Sequence, residues 1–128
     1  MHSLLKRFIV LLLFMQVSLV CCQSAGAEAQ IVNKEKVSSL LRQVEEGSAK
    51  LLDVRTPEEF NRGAIPGALN LDIRSEEFSE QLEHLDKDKP VILYCQSGFR
   101  SNKAAGILLS LGFTQVLDYK GGYSDWYR

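Results

Sequence analysis

The segment Pro90–Cys95, with the sequence PVILYC, most constrains how this chain can fold, because it is apolar along nearly its whole length. A run this short is typical of a strand, and an apolar strand of this kind is covered on both faces in a parallel sheet. A helical pattern begins at Ser101, and Gly112 follows its last turn as a C-terminal cap. The chain is therefore predicted to place this strand at the centre of a sheet and to cover it with helices.

The same alternation of strands and helices extends over the rest of the chain. The clearest helix start is Thr56-Pro57-Glu58-Glu59, which is a capping box with proline at the first helical position. Other helices are predicted after Asn33 and from Ser75, and other strands at residues 50–54, 68–71 and 114–118. Because strands joined by helical crossovers form parallel sheets, we predict an α/β sandwich with a mainly parallel sheet flanked by helices.

Residues 1–27 have the three parts of a secretory signal peptide. Lys6 and Arg7 form the positive region, an apolar stretch follows over 8–22, and the small residues of 24–27 supply a cleavage site. The apolar stretch contains two polar residues and is shorter than the roughly 20 residues that a bilayer span needs. We predict cleavage after Ala27, with Ala29 as the alternative. Residues 28–128 are then one exported domain without a stable membrane span, periplasmic in a Gram-negative bacterium.

A lipoprotein signal is the alternative at this N-terminus. In Leu19-Val20-Cys21-Cys22, either Cys21 or Cys22 could carry a lipid anchor. The residue before each cysteine, Val20 or Cys21, departs from the small residue that such signals usually have. We therefore favour the cleaved signal peptide.

Charge and cysteine content limit the possible partners. The chain has 15 Lys and Arg against 16 Asp and Glu, for a net charge of −1, and it has no long basic run. Such a balance argues against nucleic acid as a partner. Removal of residues 1–27 leaves Cys95 as the only cysteine of the mature chain, so no intrachain disulfide can form.

The position of Cys95 favours a reactive thiolate rather than a buried, inert thiol. It lies at the carboxyl end of the predicted central strand, where open α/β sheets bind ligands, and a helix starts just after it. In Cys95-Gln96-Ser97-Gly98-Phe99-Arg100-Ser101, the glycine allows a tight loop whose N–H groups converge on the sulfur. The helix dipole and Arg100 add positive charge, and such settings lower a cysteine pKa.

A cysteine–histidine pair and a metal site are not predicted. The only histidine after residue 27 is His84, which falls on a predicted helix before the central strand and is interpreted as a surface residue. No cluster of Cys and His is present that could bind a metal. We predict no metal and no cofactor.

The chain resembles the single-domain rhodanese-like sulfurtransferases over nearly all of residues 30–128. The resemblance rests on the order and spacing of several motifs: Leu52-Asp53-Val54-Arg55, Pro57-Glu58-Glu59-Phe60, Gly63-Ala64-Ile65-Pro66-Gly67-Ala68-Leu69-Asn70, the Cys95 loop, Leu111-Gly112-Phe113, and Gly121-Gly122-Tyr123 with Trp126. It implies a rhodanese-like three-layer sandwich. It also implies an enzyme that moves a sulfane sulfur from thiosulfate or a similar donor to cyanide or a thiol, through a persulfide on Cys95.

The resemblance assigns roles by position. Cys95 is the nucleophile, and the backbone N–H groups of Gln96, Ser97, Gly98, Phe99 and Arg100 cradle the persulfide. Arg100 lies beside the anionic end of the donor, and Phe99 can face the substrate entrance. Asp53 and Arg55 match the strand-end pair of the family. We predict substrate binding for Arg55, with pairing to Asp53 that holds the loops as the alternative, and structural support for Asp53 and Ser101. Ala64 stands where the family often has histidine, so any supporting role of that residue is absent.

Two other functions stay open. Phosphatases and arsenate reductases with a cysteine loop have a similar fold, but they resemble Cys-x5-Arg, whereas Cys95 and Arg100 are separated by four residues. Some rhodanese-like domains are binding modules without catalysis, although the nucleophile and its loop are intact here. The sulfur donor, the acceptor, a protein acceptor and the oligomeric state are not predicted from the sequence.

Overall fold

The computed structural model of the chain describes residues 26–128. Residues 1–25 of the predicted leader, with Cys21 and Cys22, lie outside this range. Within it, five parallel strands form one sheet in the order β1-β5-β4-β2-β3. The strands are β1 (Gln30–Val32), β2 (Lys50–Asp53), β3 (Leu69–Asn70), β4 (Val91–Tyr94) and β5 (Val116–Tyr119). The predicted α/β sandwich and the central position of the PVILYC strand are confirmed.

Five helices cover the two faces of this sheet in the described range. They are α1 (Lys34–Glu45), α2 (Pro57–Asn61), α3 (Phe78–Glu83), α4 (Phe99–Ser110) and α5 (Gly122–Trp126). The predicted caps of the first two are confirmed: the Asn33 side chain accepts the N–H of Lys36, and Thr56 and Glu59 form the reciprocal capping box. No helix in residues 26–128 is long and apolar enough to span a bilayer.

The side chains of β4 alternate between two hydrophobic clusters. Val91, Leu93 and Cys95 belong to a cluster with α3 and α4, whereas Ile92 and Tyr94 belong to a cluster with α1 on the opposite face. All five are buried. This burial on both sides is the physical reason why β4 is apolar without alternation.

One strand was not predicted, and two predicted helices begin at other residues in the structure. Strand β1 was not predicted, because two of its three residues are exposed and it pairs only at the sheet edge with β5. Helix α4 begins at Phe99 rather than Ser101, since Gly98 turns the chain directly into the helix with a φ of 98°. Helix α3 begins at Phe78, because Ser75 instead forms a turn in which its hydroxyl accepts the N–H of Glu77.

Candidate active site

The Cys95 loop lies between the end of β4 and the start of α4, at the centre of the carboxyl edge of the sheet. Helix α5 holds its other side, because the N–H groups of Tyr123 and Ser124 donate to the carbonyl oxygens of Cys95 and Gln96 at 2.9 and 3.1 Å. A Cβ on Gly122 would lie 2.6 Å from both carbonyl oxygens. Glycine at this position therefore permits the close approach that fixes the loop.

The sulfur of Cys95 is buried and lies against the backbone N–H groups of its own loop. The side chain is 1% exposed, the N–H of Gly98 donates to Sγ at 3.1 Å, and the Ser101 hydroxyl lies 3.8 Å from Sγ. Burial raises the pKa of the Cys95 thiol, but hydrogen bonds from the backbone N–H groups of Ser101, Ser97 and Gly98 outweigh it, and the pKa lies below its ordinary value. The twelve-residue helix α4 directs its N-terminus at the same sulfur. The loop thus favours the thiolate.

Arg100 reaches the site in a fixed orientation. Its guanidinium donates to both carboxylate oxygens of Glu59, at 2.7 and 2.8 Å. The hydrogen bond from Arg100 lowers the pKa of Glu59 to about 2, and the same partner raises the pKa of Arg100. The positive charge expected beside the sulfur is therefore present, but it is shared with a carboxylate.

A cavity of about 580 Å³ opens beside the sulfur. Its lining residues are Ile73, Arg74, Cys95, Ser97, Phe99, Arg100 and Lys103. Phe99 is 84% exposed at the loop tip, in the position expected for a residue at the entrance. With Arg100, the cavity carries three cationic side chains, which suits an anionic ligand.

Arg74 and Lys103 were not predicted as site residues. Lys103 could have been found, because it lies three residues after Arg100 on the same helix and such residues are neighbours. Arg74 follows β3, whose carboxyl end lies at the same edge of the sheet as that of β4. Its position depends on the turn after β3, which sequence patterns do not fix.

Arg55, predicted to bind substrate or to pair with Asp53, is buried and paired with Asp53. The side chain is 2% exposed and is absent from the cavity lining. It donates to both oxygens of Asp53, to the Gly63 carbonyl at 2.7 Å and to the Gln96 side chain at 3.1 Å. Its guanidinium also lies 4.3 Å from the ring centre of Tyr123. Arg55 therefore joins β2 to Gln96 of the cysteine loop, and its role in substrate binding stays a prediction.

Of the other predicted site residues, Ser97, Phe99 and Arg100 line the cavity. The remaining ones lie outside its lining. Gln96 turns away from the cavity, because its side-chain amide donates to Ser124 at 2.8 Å. Asp53 is fully buried against Arg55, and its role as structural support matches this contact. Ser101 is fully buried behind the sulfur. His84 is exposed at the end of α3 and does not line the cavity.

Comparison with known proteins identifies a family and several relatives. Residues 36–128 match the family model described as "Rhodanese-like domain". The chloroplastic thiosulfate sulfurtransferase 16 of Arabidopsis thaliana is 44% identical over 87 residues, which cover 60% of this chain and 72% of that protein. The thiosulfate:glutathione sulfurtransferase of Homo sapiens is 34% identical over 112 residues, covering 78% of this chain and 95% of the relative.

The fold is also similar to that of a solved structure. The structure of the human single-domain sulfurtransferase TSTD1 superposes with a TM-score of 0.62 at 31% sequence identity. The match covers 78% of this chain and 96% of the human chain. The similarity thus extends over the whole of that single-domain protein rather than over one fragment of it.

Proposed function

Because this chain belongs to the rhodanese-like domain family, we propose that it moves a sulfane sulfur from thiosulfate or a similar donor to a thiophilic acceptor through a persulfide on Cys95. The named relatives support sulfurtransferase activity at the level of the family. No observation favours the phosphatase or the binding-module alternative over this function.

The observation that carries the proposal is the buried Cys95 sulfur, which accepts a backbone N–H at 3.1 Å beside a cationic cavity. The thiolate attacks the outer sulfur of thiosulfate, the sulfur–sulfur bond of the donor breaks, and sulfite leaves with the electron pair. The cysteine then carries a persulfide anion, which the same N–H groups and the α4 N-terminus stabilise.

The second half-reaction returns the enzyme to its starting state. Cyanide or a thiolate attacks the outer sulfur of the persulfide, and the bond to Cys95 Sγ breaks. The products are thiocyanate or a new persulfide, together with the Cys95 thiolate. No redox cofactor is required, because the donor supplies the sulfur at the oxidation level at which the acceptor takes it.

The cavity supplies positioning for an anionic donor. Within residues 26–128, the guanidinium of Arg74 and the ammonium of Lys103 make no hydrogen bond or ion pair, and only the backbone N–H of Arg74 donates to Asp72, whereas the guanidinium of Arg100 is held by Glu59. We assign the sulfite end of thiosulfate to the first two cations, with Arg100 nearer the sulfur. Charge attraction of this kind favours both capture of the donor and stabilisation of the leaving sulfite.

The test is the mass of the full-length protein before and after incubation with thiosulfate. We expect a gain of one sulfur atom that maps to the peptide containing Cys95 and is removed by cyanide. The Cys95→Ser variant is the matched control, because it retains Cys21 and Cys22 where those residues are present. No gain of sulfur, or an equal gain in the variant, would contradict the proposal.

We also propose that the domain is exported and cleaved after Ala27. Strand β1 begins at Gln30, and the half-buried Ala29 packs against the core cluster that contains Cys95. Cleavage after Ala27 would leave this contact in place, whereas cleavage after Ala29 would remove it. N-terminal sequencing of the protein from its native host should read Glu28 first, and a retained Met1 or a lipidated Cys21 or Cys22 would refute this proposal.

A further inference from the structure

Phe99 is the most exposed of the large hydrophobic side chains in residues 26–128, at 84%. It begins α4, in the loop that holds the Cys95 sulfur, and lies on the wall of the sulfur cavity. A single exposed hydrophobic side chain on a surface needs no explanation, but an aromatic ring at the mouth of a reactive site offers a large apolar contact to a partner. The residues around Phe99 therefore bear on what approaches the sulfur.

A second cavity, of about 400 Å³, lies on the other side of Phe99. It shares Ser97 and Phe99 with the sulfur cavity, but Cys95 is absent from its lining. Phe99 thus forms a ridge between two cavities, of which only one reaches the sulfur. A donor as small as thiosulfate, bound beside the sulfur, leaves the second cavity unused, and so does cyanide. The second cavity is therefore suited to a larger substrate that extends past Phe99.

Ile31 makes one side of the second cavity apolar. This residue lies in the edge strand β1, is 56% exposed and is paired in register with Asp118 of β5. Ala29, two residues earlier, packs against the cluster beneath α4, so Ile31 faces α4 as well. Ile31 and Phe99 are two of the four large hydrophobic side chains that are exposed in residues 26–128. Their presence in one lining concentrates exposed apolar surface beside the cysteine loop.

The linings of both cavities are cationic. Arg74 and Lys103 line the sulfur cavity, Lys120 lines the second one, and none of these three side chains forms an ion pair within residues 26–128. The one acidic residue in either lining is Asp118, whose carboxylate oxygens are buried and out of reach of a partner. Because the whole chain has a net charge of −1, this positive charge belongs to one face rather than to the protein as a whole. Such a face attracts an acidic partner.

The recessed position of the reactive sulfur limits the shape of such a partner. Cys95 is 1% exposed and is reached through the sulfur cavity. A thiol on a flat protein surface cannot enter a cavity of this kind, whereas a thiol on a protruding loop or terminus can. The geometry therefore favours an acceptor cysteine on an extended segment, whose neighbouring residues cross the Phe99 ridge into the second cavity.

We propose that the Phe99 ridge and its two cavities dock a protein acceptor whose receiving cysteine lies on a protruding acidic segment. This inference rests on the proposed function and names a class of acceptor for it. The cysteine enters the sulfur cavity, an apolar side chain beside it packs between Phe99 and Ile31, and acidic side chains face the cations of both linings. The acceptor thiolate attacks the outer sulfur of the Cys95 persulfide, and the bond to Cys95 Sγ breaks. The products are a persulfide on the partner and the Cys95 thiolate, so no oxidant is needed.

The experiment compares two synthetic peptides as acceptors for the full-length protein persulfidated on Cys95. Each peptide has one cysteine with a leucine beside it, and glutamates flank this pair in the first peptide whereas glutamines flank it in the second. In single turnovers at low ionic strength, we expect the second-order rate constant for the acidic peptide to be about tenfold higher, the scale of electrostatic steering. The difference should shrink as salt is added. Mercaptoethanol, a small uncharged acceptor, is the reference.

Two substitutions in the second cavity separate docking from the chemistry at the sulfur. Lys120→Gln removes a cation, and Ile31→Thr removes apolar contact while it keeps a β-branched residue in β1. Each should lower the rate constant for the acidic peptide roughly two- to fivefold, the effect of one partly solvated contact, and leave that for mercaptoethanol unchanged. Lys36→Gln, exposed on α1 at the opposite face of the sheet, is the matched control and should change neither rate constant.

Equal rate constants for the two peptides would overturn the inference, as would second-cavity variants that slow mercaptoethanol as much as the acidic peptide. If the peptides react alike but Ile31→Thr abolishes dimerisation or binding to phosphatidylglycerol vesicles, the surface serves a second copy or a membrane instead. Fluorescein-labelled peptides with serine in place of cysteine measure binding without sulfur transfer, and the acidic one should bind more tightly. A failure of the proposed function, in which no persulfide forms, is thereby distinguished from a failure of docking.

Discussion

The carboxylate of Glu59 connects the start of α2 to the cysteine loop, because it binds Arg100 through both oxygens and also accepts the backbone N–H of Thr56 at 3.0 Å. The capping box that marks a helix start in the sequence is thus also the anchor of a cavity residue. One side chain serves the stability of α2 and the position of a cation beside the sulfur.

The substitution Glu59→Gln should weaken both the stability of α2 and the fixed position of Arg100. We expect a loss of about 1 kcal/mol in the free energy of unfolding, the scale of a helix cap combined with a partly exposed ion pair. The pKa of Glu59 lies near 2 in the folded chain, below its ordinary value of 4.5. Its contribution is therefore fully present above about pH 4.5 and is lost as the pH falls towards 2.

Denaturant titrations at several pH values measure this effect. The difference between the parent chain and Glu59→Gln should shrink from pH 5 towards pH 2, as expected for a carboxylate whose folded pKa is depressed. Glu58→Gln, next to it in α2 but exposed, is the control and should show no such trend. A difference that is constant with pH would mean that the ion pair contributes no stability.

The side chains of Arg74 and Lys103 should determine the affinity of the cavity for thiosulfate. Arg74→Gln and Lys103→Gln are each expected to raise the KM for thiosulfate roughly two- to fivefold, the effect of removing one partly solvated charge. The increase should be larger at low ionic strength, because salt screens exposed charges. Lys36→Gln, exposed on α1, should leave KM unchanged. Equal KM values in all three variants would exclude an anion-binding role for Arg74 and Lys103.

Gly122 should tolerate no side chain. It has a φ of 65°, and a Cβ would lie 2.6 Å from the carbonyl oxygens of Cys95 and Gln96. Gly47 has a similar φ of 78° but open space around the site of a Cβ. Gly47→Ala therefore measures the backbone strain alone, roughly 1 kcal/mol, and Gly122→Ala should lower the melting temperature further and slow sulfur transfer. Equal melting temperatures in the two variants would show that the loop can move aside.

The sequence predicted the parts of the site that depend on local patterns. An apolar strand, a glycine loop and a following helix are sufficient to place Cys95 at the carboxyl edge of a parallel sheet, and the capping box fixes the start of α2. Arg74 could not be assigned in this way. Its position depends on how the turn after β3 packs against the loop, which is information about three-dimensional contacts rather than periodicity.

Arg55 shows that the direction of a side chain is harder to predict from sequence than the position of its residue. A cationic residue at a strand end beside a reactive cysteine is a reasonable ligand-binding residue by position. In the fold, the buried Asp53 two residues earlier takes its guanidinium, and the ring of Tyr123 covers it. Whether a cation faces a cavity or a buried carboxylate is decided by side-chain direction, which the order of residues does not reveal.

The kinetic order of the two substrates follows from the single sulfur carrier. If Cys95 alone carries sulfur, the donor product leaves before the acceptor reacts, so initial rates with thiosulfate and cyanide should give parallel double-reciprocal lines.

Three substitutions test the same mechanism. Cys95→Ser should abolish transfer, since a hydroxyl cannot form a persulfide. Arg100→Ala should retain the fold and lose about 1.5–3 kcal/mol of binding to anionic donors, the scale of a charged hydrogen bond. His84→Ala should have little effect, because His84 is exposed and does not line the cavity. Intersecting lines would require both substrates to be bound together, and a loss in His84→Ala as large as that in Arg100→Ala would mean that the loop does not activate its own thiolate.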